Sequence, residues 1–388
     1  MRRAHGSFDN VFYIYTHIFF WVNILSSGLT FAVLGAGDGG KAMAAHLALK
    51  RFTVNLYNRR DGRHYVDLTK IKAQGGIELE GVVEGFGMLN VVSPDIGKVI
   101  KDVDVIMVVT WAQNHPDIAR ACAPYLQDGQ VVLLNPGRTG GALDFKRALN
   151  ERGCKAKIKL AEAQTLIFAA RSTGLTRSRI LGVKKQVPIA ALPASDTDYV
   201  LERVKQAYDQ FVPARNVLET GLNNVGAVIH PSITLLNSGR IESTEGDFEF
   251  YFEGATPSVC KVMEAIDAER LRVAHAFGVE AMSTKDWLNF AYDVQGRTLY
   301  EALHKNEVYR GIKSTPTLEH RYIFEDVPTG LVPIASMGEM LDVRCLSLKM
   351  LVSLASTMLG IDFWSQGRTV ERLGLRGMTV EEIIEFVS

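Results

Sequence analysis

The sequence predicts an α/β N-terminal domain built on a doubly wound parallel sheet, followed by an all-α C-terminal domain. Three observations lead there. Short apolar runs alternate with helical stretches from Thr30 to about residue 214. A glycine-rich turn, Gly35-Ala36-Gly37-Asp38-Gly39-Gly40, joins the first run to the first helix. Beyond residue 215 the strand signal stops and helix caps take over. Strand, helix, strand in repetition is the pattern of a parallel sheet covered by helices on both faces.

Taken in order, Thr30 to Leu34 reads as a buried strand, Gly40 to Lys50 as a helix with alanines on its packing face, and Thr53 to Tyr57 as a second strand. Asp104 to Thr110 and Gln130 to Asn135 are nearly continuous apolar runs, as strands buried on both faces require. Weaker strand-like pieces follow at Lys157 to Leu160, Ile180 to Val183 and Val187 to Leu192, and Asp196 to Phe211 reads as a helix. In the second half, Thr256-Pro257 supplies an N-cap and a proline at the first helical position, and Gly278 ends that helix. Cys345 to Leu359 carries apolar residues at helical spacing ahead of Gly360, and Thr379-x-x-Glu382 is a capping box. The expected organisation is an N-terminal extension over 1–28, a sheet domain over 29–214 and a helical domain over 215–388.

A G-x-G-x-x-G run alone is a weak signal, but here it lies between a strand and a helix. Gly35 permits the tight turn, Gly37 lets the backbone approach a pyrophosphate, and Gly40 lets the helix pack on the strand, so the first domain reads as a Rossmann-type dinucleotide-binding domain. Gly35, Ala36, Gly37, Asp38, Gly39 and Gly40 are its cofactor-binding candidates, with Thr110 and Asn135 at the ends of later strands. At the end of the second strand an acidic residue would take the ribose hydroxyl of NAD, but Tyr57-Asn58-Arg59-Arg60 stands there, with Arg63 close by. A planar guanidinium suits a 2′-phosphate, so NADP is preferred over NAD, with Arg59 the first partner and Arg60 the second, unless both are ordinary solvated loop residues.

The 388 residues make two to three domains at roughly 150 each. With 43 basic and 43 acidic side chains the net charge is zero, which leaves no electrostatic footprint for nucleic acid or an anionic membrane. Cys122, Cys154, Cys260 and Cys345 form no C-x-x-C pair and have no histidine at zinc-ligand spacing, so neither a disulfide scaffold nor a metal site is expected and a reducing compartment fits. Residues 1–28 loosely resemble a signal peptide, with Met-Arg-Arg ahead of an apolar run from Val11 to Leu25. That run is short of the ~20 apolar residues of a membrane span, and a nucleotide-binding strand starts at once behind it. An extension ahead of a cytoplasmic domain is therefore favoured over export, and no stable membrane association is expected.

Among nine histidines, His115 stands out for following a strand end, and His230 for lying in a stretch free of other ionisable groups, where it is either catalytic or a buried core residue.

These residues carry a resemblance. Gly35-x-Gly37-Asp-Gly-Gly40, Asn135-Pro-Gly-x-Thr-Gly-Gly-Ala142, Asn224-Val-x-Ala-Val-x-His-Pro231 and Arg321-Tyr-x-Phe-Glu-Asp326, in this order, resemble the opine dehydrogenases, the octopine/nopaline dehydrogenase family with its bacterial N-(1-carboxyethyl)-amino-acid members. The similarity runs from about Thr30 to the C-terminus. It implies the reductive condensation of an amino acid with a 2-oxo acid such as pyruvate, using NADP or NAD. It also implies a His230–Asp326 catalytic pair, Arg321 as holder of the oxo-acid carboxylate, and Asn224 near the cofactor. A carboxylate on His230 would raise its pKa. Glu162, Thr165 and Trp287 are candidate contacts for the amino-acid substrate, each with a packing role as the alternative. The partners implied are two small molecules, with room for a homodimer. Two other readings stay open: a ketopantoate-reductase-like or glycerol-phosphate-dehydrogenase-like enzyme, whose helical domain would supply a lysine as the central acid, and a non-catalytic dinucleotide-binding protein.

Overall fold

The computed structural model describes residues 28–388, so the expected N-terminal extension lies outside the described residues apart from Gly28. The first strand β1 (Thr30–Leu34) runs through the glycine turn into α1 (Asp38–Leu49), and β2 (Thr53–Tyr57) follows alongside. Next come α2 (Tyr65–Gln74), β3 (Gly76–Gly81), β4 (Gly85–Met88), β5 (Val91–Ser93), α3 (Ile96–Ile100) and β6 (Val105–Val108). The domain continues with α4 (His115–Cys122), β7 (Val131–Leu134), α5 (Gly141–Glu151), β8 (Lys159–Ala163), β9 (Phe168–Gly174), β10 (Arg177–Val183), β11 (Val187–Leu192), α6 (Thr197–Val204) and β12 (Phe211–Pro213).

Eight of these strands form one sheet in the order β12-β11-β8-β7-β6-β1-β2-β5. Its central strands are parallel, and every residue of β6 and β7 is buried, as the unbroken apolar runs require. The doubly wound expectation holds there, with two departures. β11 pairs antiparallel with β8, because the chain between them is used in the β9–β10 hairpin and no helix crosses the sheet. β3, β4, β9 and β10 form a second, four-stranded sheet, which packs on the outer side of α1. Gly76, Gly81, Gly85 and Gly87 punctuate β3 and β4 and hide them from a reading based on apolar alternation, whereas the strand expected at Ile180 to Val183 is the end of β10. The helix expected to reach Phe211 ends at Val204, and Phe211 pairs with Val187 on the sheet edge.

Helices then follow without a further sheet: α7 (Val217–Leu222), α8 (Gly226–Leu236), α9 (Ser238–Thr244), α10 (Pro257–Ala276), α11 (Thr284–Tyr292), α12 (Leu299–Lys305), α13 (Arg321–Phe324), α14 (Val332–Met340) and α15 (Leu346–Leu359). Three short ones close the chain, α16 (Phe363–Gln366), α17 (Val370–Leu373) and α18 (Val380–Val387), the last opened by the Thr379–Glu382 capping box. Between α13 and α14 one π-helical turn, Val327–Leu331, begins directly after Asp326. Such turns displace side chains from the ordinary helical rows.

One side chain ties the two halves together. Arg368 is 1 % exposed and donates to the Asp144 carboxylate and to the carbonyls of Gly137, Thr139 and Ala112. Those carbonyls belong to the loops after β6 and β7, so this guanidinium fixes the helical half against the C-terminal ends of the sheet, where doubly wound sheets bind ligands.

Candidate active site

The glycine turn has the geometry that its sequence requires. Gly35 has φ +123°, and a Cβ there would stand 2.3 Å from the Val109 carbonyl oxygen; at Gly40 a Cβ would stand 1.8 Å from the Gly35 carbonyl oxygen. Only glycine fits either place. Gly37 caps α1 without a side-chain hydrogen bond, leaving the first amides of a 12-residue helix free for an anion. Asn58 Oδ1 accepts the Ala36 amide at 3.2 Å, so Asn58 braces the turn from beneath.

Gly37, Asp38 and Gly39 line a cleft of about 720 Å³ between the two domains, and Thr110 and Asn135 line it from the ends of neighbouring strands. Asn224, Thr165, Trp287, His230 and Arg321 line it as well. Arg59 and Arg60 follow β2 and are exposed; of this arginine group it is Arg63 that lines the cleft. The sequence reading missed one carboxylate there: Asp61 accepts from Arg59 Nε at 2.8 Å and Nη2 at 2.7 Å. That hydrogen-bonded pairing holds the Asp61 carboxyl down to about 2. The pair is open to solvent, Arg59 being 43 % exposed, so the guanidinium is not locked in place.

On the helical side, α8 carries His230 and the segment after α13 carries Asp326. His230 Nδ1 lies 2.7 Å from Asp326 Oδ2, and 96 positions of sequence separate the two. The carboxylate accepts the Nδ1–H hydrogen bond, which leaves Nε2 as an acceptor for the Tyr251 hydroxyl at 3.3 Å. The imidazole stacks on Tyr322, ring centroids 4.3 Å apart. Burial depresses the His230 pKa below its ordinary value; Asp326 opposes this only in part, and Arg321 and Arg138 add to the depression. The carboxylate raises the pKa as expected, but desolvation of the cationic form outweighs it and the net shift is downward. Burial would raise the Asp326 carboxyl, but Arg138 and His230 beside it hold it down to about 2.

Arg321 donates through Nη1 to Glu325 Oε2 at 3.0 Å and keeps part of its fork toward the cleft, with its side chain 31 % exposed. Two further residues, Arg138 and Glu325, complete the arrangement. Arg138 reaches Glu325 Oε2 at 3.0 Å, Asp326 Oδ1 at 3.3 Å and Asn224 Oδ1 at 3.3 Å. Glu325 also accepts the Ala112 amide at 2.8 Å, tying the loop after β6 to α13. Arg138 occupies the variable position of the Asn135-Pro-Gly-x-Thr motif and has φ +62°, so no residue-type pattern marked it. Glu325 stands four positions after Arg321, the spacing of a helical ion pair, and that pair forms.

Two candidates fall away. Glu162 belongs to β8, is fully buried, and accepts from Thr220 Oγ1 at 2.6 Å and the Ala142 amide at 2.7 Å; burial pushes it up to about 7. It pins α5 and α7 to the sheet and does not line the cleft. His115 is fully buried against Arg368, 3.4 Å away, and burial keeps it neutral. Among the described residues no cluster of three His, Cys, Asp or Glu side chains converges as a metal site, and no single helix is long and apolar enough to cross a membrane.

Comparison with known proteins decides the family. The opine dehydrogenase of Arthrobacter sp. (strain 1C) is 39 % identical over 355 residues, covering 91 % of this chain and 97 % of that protein. The chain belongs to the opine dehydrogenase family. Residues 213–359 match the family model described as NAD/NADP octopine/nopaline dehydrogenase, alpha-helical domain. The D-nopaline dehydrogenase of Agrobacterium tumefaciens (strain T37) is 27 % identical over 332 residues, covering 77 % of this chain and 78 % of its own. Among solved structures, octopine dehydrogenase with NADH and L-arginine superposes with a TM-score of 0.74 at 21 % identity, covering 92 % and 98 % of the two chains. A ketopantoate reductase shares the fold more distantly, with a TM-score of 0.58 at 17 % identity over 87 % and 99 %. As an opine dehydrogenase, the chain is an NAD(P)-dependent oxidoreductase, and the free amides of α1 and the cleft above them fit that cofactor.

Proposed function

We propose that this opine dehydrogenase condenses an amino acid with a pyruvate-like 2-oxo acid and reduces the product to an N-(1-carboxyalkyl)-amino acid, with His230 as the general acid and base. The observation that carries the reading is the His230–Asp326 dyad opening onto the dinucleotide cleft beside Arg321. The neutral imidazole, its tautomer set by Asp326, presents a basic Nε2 to the cleft. It relays the two amine protons in turn to the keto oxygen, the first as the nitrogen attacks the carbon to give the carbinolamine and the second as that oxygen leaves as water, so an imine results. Arg321 holds the oxo-acid carboxylate so that this oxygen stays within reach of Nε2. When bound, the dinucleotide supplies the hydride that reduces the C=N bond. A further proton, taken from solvent and delivered to nitrogen through His230, completes the secondary amine, so amine, oxo acid, hydride and proton become product and water.

Arg59, Arg60 and Arg63 against Asp61 and the more distant Asp117 support NADP as the preferred form, Arg59 turning from Asp61 to a 2′-phosphate. The four free cysteines and the dinucleotide support a cytoplasmic site of action. The test is NADPH oxidation with pyruvate and each amino acid in turn, product masses being read in parallel. The proposal requires both substrates together. Equal oxidation with pyruvate alone would make the enzyme a simple oxo-acid reductase.

A further inference from the structure

Two cations lining the cleft are left unused by the chemistry above, Lys184 and Arg171, and Arg171 already stands 3.7 Å from the Asp38 carboxylate. Lys184 follows β10 at the junction of the small sheet with the large one, and its backbone amide donates to the Ile167 carbonyl at 2.9 Å. Its ammonium donates to the Leu166 carbonyl at 2.6 Å, its one hydrogen bond among the described residues. An ammonium has three donors, so two remain for a ligand. The side chain lines the same cleft as His230 and Arg321. Burial presses its pKa down to about 8, and the charges of Arg138 and Arg321 press in the same direction, which puts all three cations within reach of one another's fields.

Apart from the Arg171–Asp38 pair and the exposed Glu319, the wall of the cleft around His230 carries more cations than carboxylates. Arg138, Arg321 and Lys184 are three cations; Glu325 and Asp326 are two carboxylates, and both face the arginines. An exposed cation would be neutralised by water and salt, but a half-buried one rewards a ligand carboxylate. The product of the proposed reaction carries two carboxylates, one on each carbon flanking the new secondary amine. The keto oxygen must lie near His230, and Arg321 stands on that side, its guanidinium 5.2 Å from the centroid of the Tyr322 ring on which His230 stacks. Arg321 therefore takes the oxo-acid carboxylate, and the second carboxylate is left for the opposite wall.

We propose that Lys184 anchors the α-carboxylate of the amino-acid substrate. With Arg321 on one wall and Lys184 on the other, the nascent C–N bond is stretched across the cleft, with the imine carbon held over the dinucleotide. Two charge anchors restrict the amine to α-amino acids and reject simple primary amines.

The inference rests on the reaction assigned above, and the experiment separates the two. The probes are the protein amino acid that the wild type turns over fastest with pyruvate and NADPH, and the primary amine that lacks only its carboxyl group. A wild type that uses no amino acid overturns the reaction itself, and Lys184 with it. If the wild type is active, Lys184→Gln raises KM for the amino acid about tenfold to a hundredfold, the usual effect of losing a charge-assisted hydrogen bond. KM for pyruvate and the dissociation constant of NADPH stay within about twofold, since neither ligand contacts the lysine in this scheme. The amine, measured as substrate or as competitive inhibitor, binds the wild type and Lys184→Gln alike, and Lys184→Arg recovers part of the affinity for the amino acid. Equal losses for amino acid and amine, or weakened NADPH binding, would overturn the assignment.

Discussion

Replacing Arg138 by methionine removes a buried cation that two carboxylates share. Arg138 is 9 % exposed and lies 3.0 Å from Glu325 Oε2 and 3.3 Å from Asp326 Oδ1. At an effective dielectric constant of about 20, each contact is worth about 5 kcal/mol of Coulomb energy before desolvation is counted. The variant keeps both carboxylates buried, Glu325 with Arg321 as its remaining partner and Asp326 with His230. The net loss is expected at about 3 to 5 kcal/mol, the range for breaking a buried pair from one side. Urea unfolding reads it as a shift of the midpoint at unchanged slope, and disappearance of the cooperative transition counts as the upper end. Arg138 also depresses the His230 pKa. Its removal therefore raises that pKa, and the acid limb of the rate profile moves to higher pH. A cost under about 1 kcal/mol with an unmoved acid limb would refute the view of Arg138 as the hinge of the network.

Arg321→Lys keeps the charge but loses the fork, so KM for pyruvate rises several-fold and turnover falls, with a smaller effect on the amino acid; equal effects on both substrates would make Arg321 a structural partner of Glu325. Asp326→Asn removes the anion that supports the protonated imidazole, so the His230 pKa falls further and the acid limb of kcat/KM, already below the ordinary histidine value, moves to lower pH. A shift upward would contradict the assignment of the dyad. Arg59→Ala weakens NADPH by about 1.5 to 3 kcal/mol and NADH much less, which the two Michaelis constants decide; a wild type that prefers NADH would reverse the cofactor preference.

The glycine turn and the central strands were legible because each rests on a local necessity. Gly35 and Gly40 stand where a Cβ collides with backbone, and β6 and β7 are buried on both faces. The capping box at Thr379 announced α18 for the same kind of reason. Of the small sheet only the end of β10, Ile180 to Val183, was legible; β3, β4 and β9 were not, since they are glycine-rich or partly exposed and the sheet is held by pairing between β3 and β10, about a hundred positions apart. His230, Asp326 and Arg321 were legible through family motifs, whereas Arg138 and Lys184 were not. The roles of these two follow from what the fold sets beside them, Glu325 and Asp326 for one and the open cleft for the other. The direction of the His230 shift likewise depends on burial, which no spacing reveals. Glu162 illustrates the converse: a carboxylate near a strand end looks functional in sequence, but the pleat turns it inward onto Thr220.

The central claim is that His230 moves the protons of the condensation from the helical side of the cleft without helping to hold the cofactor. The direct measurement is steady-state turnover of His230→Ala with NADPH, pyruvate and the preferred amino acid, alongside the dissociation constant of NADPH from fluorescence titration. The account predicts a loss in turnover of the order of 10² to 10⁴-fold, with a nearly unchanged dissociation constant. Near-normal turnover, or a loss explained by weakened cofactor binding, would contradict it.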